Sequence, residues 1–281
     1  MTLLESLLFG AVQGITEFLP VSSSGHIAIA EALTGVDIGD DSLAFTVLLH
    51  LGTLAAVLVV YGKEVFGMLK AAFTLVPKLF GRKFRMSEAN SDERMLVTVF
   101  IATLPLIPGF MLEDKIGCVS QNVIAVGAIL TVNSIVLFMS DRFSRESLAP
   151  EKVGARHALI VGIAQVFALF PGLSRSGTTV SAGLFQGFER EYALKFSFVM
   201  SVPAVAGACI LDLPGFISGS VQTGDVRTLG IYFAGALTAA LVGIASIKLF
   251  RFAAKKKSFL PFSIYSLAAG ITAIAAGISM R

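Results

Sequence analysis

Arg175 makes the heaviest demand on its surroundings. It lies in the run Phe170-Pro171-Gly172-Leu173-Ser174-Arg175-Ser176-Gly177-Thr178, inside an otherwise apolar stretch. A guanidinium at membrane depth is costly and by default marks function. It keeps its charge and offers a planar fork of donors suited to phosphate. The competing reading is a structural ion pair with Glu17. A second run of similar chemistry is Leu19-Pro20-Val21-Ser22-Ser23-Ser24-Gly25-His26. In both runs a proline is followed by serines where a helix would restart. Restarting helices present free N–H groups and a partial positive charge. Two such starts, with Arg175 between them, predict an anion site built from Ser22, Ser24, Ser174, Ser176, Gly177, Thr178 and Thr179. Taken singly, each serine could be no more than an N-cap. Thr178, Thr179 and Gln165 read as supporting donors.

Gln13 and Glu17 stand four apart and share a helix face. A carboxylate beside phosphate repels it unless a hard cation intervenes or the carboxylate handles protons. Carboxylate with phosphate oxygens suits Mg²⁺ or Ca²⁺, although one acid and one amide make a sparse metal site. His26, three residues after Ser23, could serve as base toward a serine or as acid toward a leaving oxygen. His50 and His157 read as ordinary packing residues. Cys118 and Cys209 are spaced neither for a disulfide framework nor for a metal.

The elements that hold these groups follow from composition. The chain has 281 residues, 55% apolar and 15% charged, with a mean hydropathy of +0.81. That excludes a disordered chain, a nucleic-acid-binding module and an ordinary soluble enzyme. No cleavable leader pattern is visible, so the first segment is expected to stay. Six stretches, about 43–61, 95–112, 122–140, 193–211, 229–250 and 259–280, reach spanning length, with Pro105, Pro108 and Pro203 read as kinks. Regions 3–34 and 157–188 are each interrupted at the two motifs, and their halves are too short to span. They read as re-entrant hairpins with tips buried in protein. Eighteen of the 22 Lys and Arg fall in loops 62–94 and 141–156, segment 189–195 and the turn 248–258. Lys115, Arg227 and Arg281 lie on the other side. The basic side is expected to face the cytoplasm, with both termini outside. Glu31, Asp37, Asp40 and Asp41 read as solvated, and the run Arg251–Lys257 as a topology signal.

A shift of 152 residues sets Gly10 on Gly162, Gln13 on Gln165, Ser22 on Ser174, Ser24 on Ser176 and Gly25 on Gly177. Each half then reads as a hairpin followed by three spans, so the halves are expected to be inverted repeats with the site at their interface. The predicted fold is an all-α polytopic membrane protein, a single domain over 1–281. It has six full transmembrane helices and two re-entrant helical hairpins, in repeats 1–140 and 157–281.

With these residues in view, the sequence resembles the bacterial undecaprenyl-diphosphatase family of bacitracin-resistance proteins over the whole chain. Its first motif appears as Gln13-x-x-x-Glu17 leading to Pro20-x-Ser22-Ser23-x-Gly25-His26, its second as Pro171-Gly172-x-Ser174-Arg175-Ser176-Gly177-x-Thr179. Gln13 stands where some members carry Glu. The resemblance implies hydrolysis of undecaprenyl diphosphate to the monophosphate carrier of peptidoglycan synthesis. It further implies a site open to the outer face of the cytoplasmic membrane and a divalent cation. By motif, Glu17 is a catalytic acid, Ser23 a nucleophile, His26 its partner and Arg175 a phosphate clamp. Either Ser23 attacks, or His26 or Glu17 activates water; the residues leave both routes open. The implied partners are the polyprenyl diphosphate and membrane lipids, with a homodimer open as an assembly and no nucleic acid. The competing function is a transporter or flippase for an anionic lipid or small anion. A type-2 phosphatidic-acid phosphatase, suggested by Ser24-Gly25-His26, would need a histidine after Arg175, and none follows.

Overall fold

The computed structural model describes residues 1–36, 43–81, 85–86, 88–111, 116, 118–212 and 226–279. The readings made on Asp37, Asp40, Asp41, Arg82, Lys83, Lys115 and Arg281 lie outside them. Helices run in the order α1 Leu3–Thr16, α2 Ser23–Thr34, α3 Leu43–Phe80, α4 Ser91–Thr103, α5 Leu106–Phe110 and α6 Val123–Phe143. They continue with α7 Ala155–Phe167, α8 Arg175–Phe185, α9 Arg190–Leu211, α10 Val226–Lys255 and α11 Leu260–Ser279. Local sequence sets the starts. Thr2 with Glu5, and Asn90 with Glu93, form capping boxes for α1 and α4. Asn122 accepts from two backbone N–H groups at the start of α6. Such side chains satisfy the donors that a helix start leaves free.

Five described helices, α3, α6, α9, α10 and α11, are long and apolar enough to cross a bilayer. The exterior agrees. Val59, Phe66, Phe100, Phe138, Phe233, Leu241 and Ile264 all point outward, as expected where lipid tails are the solvent. The chain is an all-helical, multi-pass membrane protein.

Three sequence expectations need correction. The stretch 95–112 is not one helix: α4 ends at Thr103, and a five-residue helix follows Pro105. A proline lacks the N–H and crowds the preceding turn, and with Pro108 close behind, the helix breaks rather than bends. The loop expected from residue 62 is helical, because α3 continues to Phe80 with non-helical dihedrals only at Tyr61. The kink at Tyr61 divides it: at 1.5 Å per residue the first segment is about 28 Å long, matching a hydrocarbon core of about 30 Å, and the second carries the helix on beyond it. Likewise α10 carries Lys248, Arg251 and Lys255 on helix, not in a turn.

The basic segments meet at one end of the bundle. Lys78 pairs with Glu93, Lys195 with Glu64, Lys255 with Glu191 and Lys257 with Glu146, while Arg190 bridges Asp141 and Glu146. Elsewhere the packing relies on small residues. α1 packs on α10, α4 on α7, α3 on α9 and on α10, and α6 on α11. A Cβ added at Gly10 would sit 2.3 Å from the Gly235 carbonyl oxygen, and one at Gly162 2.3 Å from that of Ala102. Helix backbones can approach so closely only where side chains are absent.

Candidate active site

The two interruptions lie where the sequence put them. α1 gives way after Thr16, and α2 restarts at Ser23; α7 ends at Phe167, and α8 restarts at Arg175. Each restart is capped by the same device. Ser22 Oγ accepts from the Gly25 N–H at 3.2 Å, and Ser174 Oγ from the Gly177 N–H at 3.1 Å. Ser22 holds φ at +74°, a left-handed conformation that a side chain disfavours and that recurs at functional sites. His26 supports it by donating from Nδ1 to the Ser22 carbonyl at 2.7 Å.

One side chain ties the breaks together. Asn133 of α6, fully buried, donates from Nδ2 to the Pro20 carbonyl at 2.9 Å and accepts at Oδ1 from the Ser174 N–H at 3.1 Å. Ser176 Oγ adds a bond to the Leu19 carbonyl at 3.2 Å. These contacts fix one helix start relative to the other.

Between them sits Glu17. Its Oε1 accepts from Arg175 Nη2 at 2.5 Å, and its Oε2 accepts from Ser23 Oγ at 2.7 Å and from Gln13 Nε2 at 3.3 Å. The ion pair considered from sequence therefore forms, but it uses only part of the guanidinium. Arg175 Nη1 is buried with no protein partner. Glu17, Ser23, Ser24, His50, Gln165, Ser174 and Arg175 line a cavity of about 260 Å³, with Leu106, Leu169 and Ala204 among its apolar lining. A second cavity of about 330 Å³ adjoins it through Ser23, Ser24 and His50 and reaches Gln13, Glu31 and Thr46. Glu31 is thus half-buried in a cavity wall, contrary to the expectation of a solvated acid.

The predicted site residues divide accordingly. Glu17, Ser23, Ser24, Ser174 and Arg175 come together at the cavity. Ser22, Ser176 and Gly177 lie behind it in the caps and the hairpin contact. Thr178 Oγ1 is buried without a protein partner, and Thr179 Oγ1 donates to the Arg175 carbonyl at 2.8 Å. His26 is not brought to Ser23. Its Nε2 lies 2.8 Å from the Tyr265 hydroxyl, and the two rings stack. Gln13 reaches Glu17 from the second cavity. Three residues went unrecognised or were read as packing: Asn133, Tyr265 and His50. His50 turns Nδ1 to the Thr46 carbonyl and lines both cavities. A polar side chain inside a predicted span was the available signal for Asn133 and His50.

A divalent cation fits this donor set only in part. Among the described residues no three His, Cys, Asp or Glu side chains group to hold a metal, and Glu17 is a lone carboxylate already engaged by three donors. Mg²⁺ commonly uses one or two carboxylates with substrate phosphates completing the shell. Gln13 and Glu17 could hold it in that way.

Fold and site together define a class: a multi-pass helical membrane protein whose two broken helices build a buried, Arg- and Ser-lined cavity suited to an anionic group. The chain belongs to the bacitracin resistance protein BacA family, whose model matches residues 6–272. It is 36% identical to an undecaprenyl-diphosphatase of Methanosphaera stadtmanae over 98% of both chains. It is 34% identical to one of Bacteroides fragilis over 96% of both. It is 37% identical to one of Corynebacterium efficiens, over 96% of this chain and 89% of that relative.

Proposed function

We infer that the protein is an undecaprenyl-diphosphate phosphatase. It hydrolyses undecaprenyl diphosphate to the monophosphate and inorganic phosphate, recycling the carrier for peptidoglycan synthesis and conferring bacitracin resistance. Family membership and the names of its relatives support the substrate. The observation that carries the mechanism is the linked set Ser23–Glu17–Arg175.

In this reading Arg175 Nη1, with the N–H groups left uncapped at the two helix starts, holds the terminal phosphoryl group and stabilises its transition-state charge. Ser23 Oγ gives its proton to Glu17 Oε2 and attacks phosphorus. The P–O bond to the bridging oxygen breaks, and its electron pair leaves with undecaprenyl monophosphate. Water then attacks the phosphoserine, the P–Oγ bond breaks, the proton held by Glu17 returns to Ser23 Oγ, and inorganic phosphate departs with the water oxygen. His26 acts as a positioning residue through the Ser22 carbonyl. A bound Mg²⁺ or Ca²⁺ would neutralise diphosphate charge beside Gln13 and Glu17.

The bundle reads as inverted repeats 1–140 and 157–281 around re-entrant hairpins. Reciprocal packing supports this: α1 lies on α10 as α7 lies on α4, and the equivalent glycines Gly10 and Gly162 both let a neighbouring backbone approach within what a Cβ would fill. An opening toward the outer face of the cytoplasmic membrane is supported by position. The cavities are lined by Thr46 near the start of α3 and Ala208 near the end of α9. The basic residues Lys78 and Arg190 mark the opposite ends of those helices.

Purified protein in detergent, given a prenyl diphosphate, should release inorganic phosphate stoichiometrically with the prenyl monophosphate. Vesicle uptake or lipid translocation without phosphate release would instead establish a transporter.

A further inference from the structure

Gln165 of α7 is 1% exposed, lines the cavity beside Arg175, and has no protein partner for either Nε2 or Oε1. Buried side-chain amides are nearly always paired, so this one stands out. The repeat explains why it is unpaired. Gln13, its equivalent 152 residues earlier, directs Nε2 to Glu17 four residues on. Four residues after Gln165 stands Leu169. The second half keeps the amide and lacks the carboxylate that would engage it. Arg175, which lines the same cavity, has its Nη1 unpartnered as well.

We propose that Gln165 is a phosphoryl-binding residue: its Nε2 donates to a non-bridging oxygen of the terminal phosphoryl group that Arg175 Nη1 also holds. Its Oε1 accepts from a P–OH or from water carried with that group. The amide can do both because it presents a donor and an acceptor side by side. The assignment rests on the phosphatase reading for the identity of the lipid, but not for the chemistry of the ligand. The shared ligand class is a di- or monophosphate group, whether lipid-borne or free.

The test uses the full chain in detergent with two probes, prenyl diphosphate turnover and thermal stabilisation by inorganic pyrophosphate. Gln165→Met preserves volume and removes both polar atoms; Gln165→Glu places a carboxylate against the phosphoryl group. Gln165→Met should keep the ligand-free thermal midpoint, lose roughly 10- to 100-fold in kcat/KM and lose most of the stabilisation by pyrophosphate. Gln165→Glu should lose more on both readouts. Gln165→Asn, with a shortened amide, should recover part of the loss, which also keeps the test decisive if the Met variant folds poorly. Turnover and pyrophosphate stabilisation both within twofold of wild type in Gln165→Met would overturn the assignment. So would a wild-type protein that pyrophosphate does not stabilise. A wild-type protein that pyrophosphate stabilises through Gln165, but that releases no phosphate from the lipid, would sink the phosphatase reading and leave this one standing.

Discussion

Ser23 Oγ lies 2.7 Å from Glu17 Oε2, so a hydroxyl and the carboxylate that can take its proton are already in contact across the break between α1 and α2. A nucleophile within hydrogen-bond reach of a base, itself fixed by a third group, is the geometry of covalent catalysis. Here the third group is Arg175. Ser23→Ala and Glu17→Gln should each lower kcat by about 10³-fold or more, measured as phosphate release. Acid quenching of wild-type turnover should trap phosphoserine at position 23. Near-normal turnover by Ser23→Ala would transfer the attack to water.

Arg175→Ala should cost several orders of magnitude in rate, because its interaction is strongest with the charge of the transition state. Arg175→Lys should recover little, since a single ammonium cannot serve Glu17 and a phosphoryl group with a rigid fork. A loss below tenfold in the alanine variant would remove Arg175 from the clamp.

Asn133→Leu should destabilise the protein by about 2–6 kcal/mol. It removes the partners of two buried backbone groups, the Pro20 carbonyl and the Ser174 N–H, and each unmet group costs about 1–3 kcal/mol. Thermal unfolding in detergent would read this, and turnover should fall with it as the two helix starts lose their common tether. An unchanged midpoint would show that the breaks are held by other contacts.

Gly162→Ala should be destabilising by about 1–3 kcal/mol, as overpacking generally is, because its Cβ would meet the Ala102 backbone. Gly207→Ala in α9 has open space around the added methyl, and helix propensity alone should stabilise it by up to about 1 kcal/mol. Equal effects at the two positions would contradict the close approach of α4 and α7.

Chelation should lower turnover at constant ionic strength, and added Mg²⁺ or Ca²⁺ should restore it. The sparse protein ligand set predicts that the apparent metal affinity depends on diphosphate concentration. A metal held equally tightly without substrate would point to ligands other than Gln13 and Glu17.

The broken helices were legible because proline and serine runs interrupt apolar segments at Pro20 and Pro171, and local rules suffice there. The grouping of Glu17, Ser23 and Arg175 was legible because charged and nucleophilic residues are rare in such a chain. Other features were not. Hydropathy ends at the first lysine, but a helix does not, so α3 and α10 ran past their expected limits. Pro105 and Pro108 together break a helix that either alone was expected to kink. Asn133 and His50 look like isolated polar residues in spans, and only tertiary packing shows that one bridges the two breaks and the other faces the cavity. The partner of His26, Tyr265, lies 239 residues away, beyond any reading of spacing.

The contact between Glu17 and Arg175 has a consequence for selectivity. An arginine alone in hydrocarbon would be costly; here the protein supplies its own resident anion. An incoming head group therefore shares the guanidinium with a tethered carboxylate, meeting Nη1 while Glu17 keeps Nη2. A fork already half satisfied by one anion holds a highly charged diphosphate better than the singly phosphorylated lipid left behind.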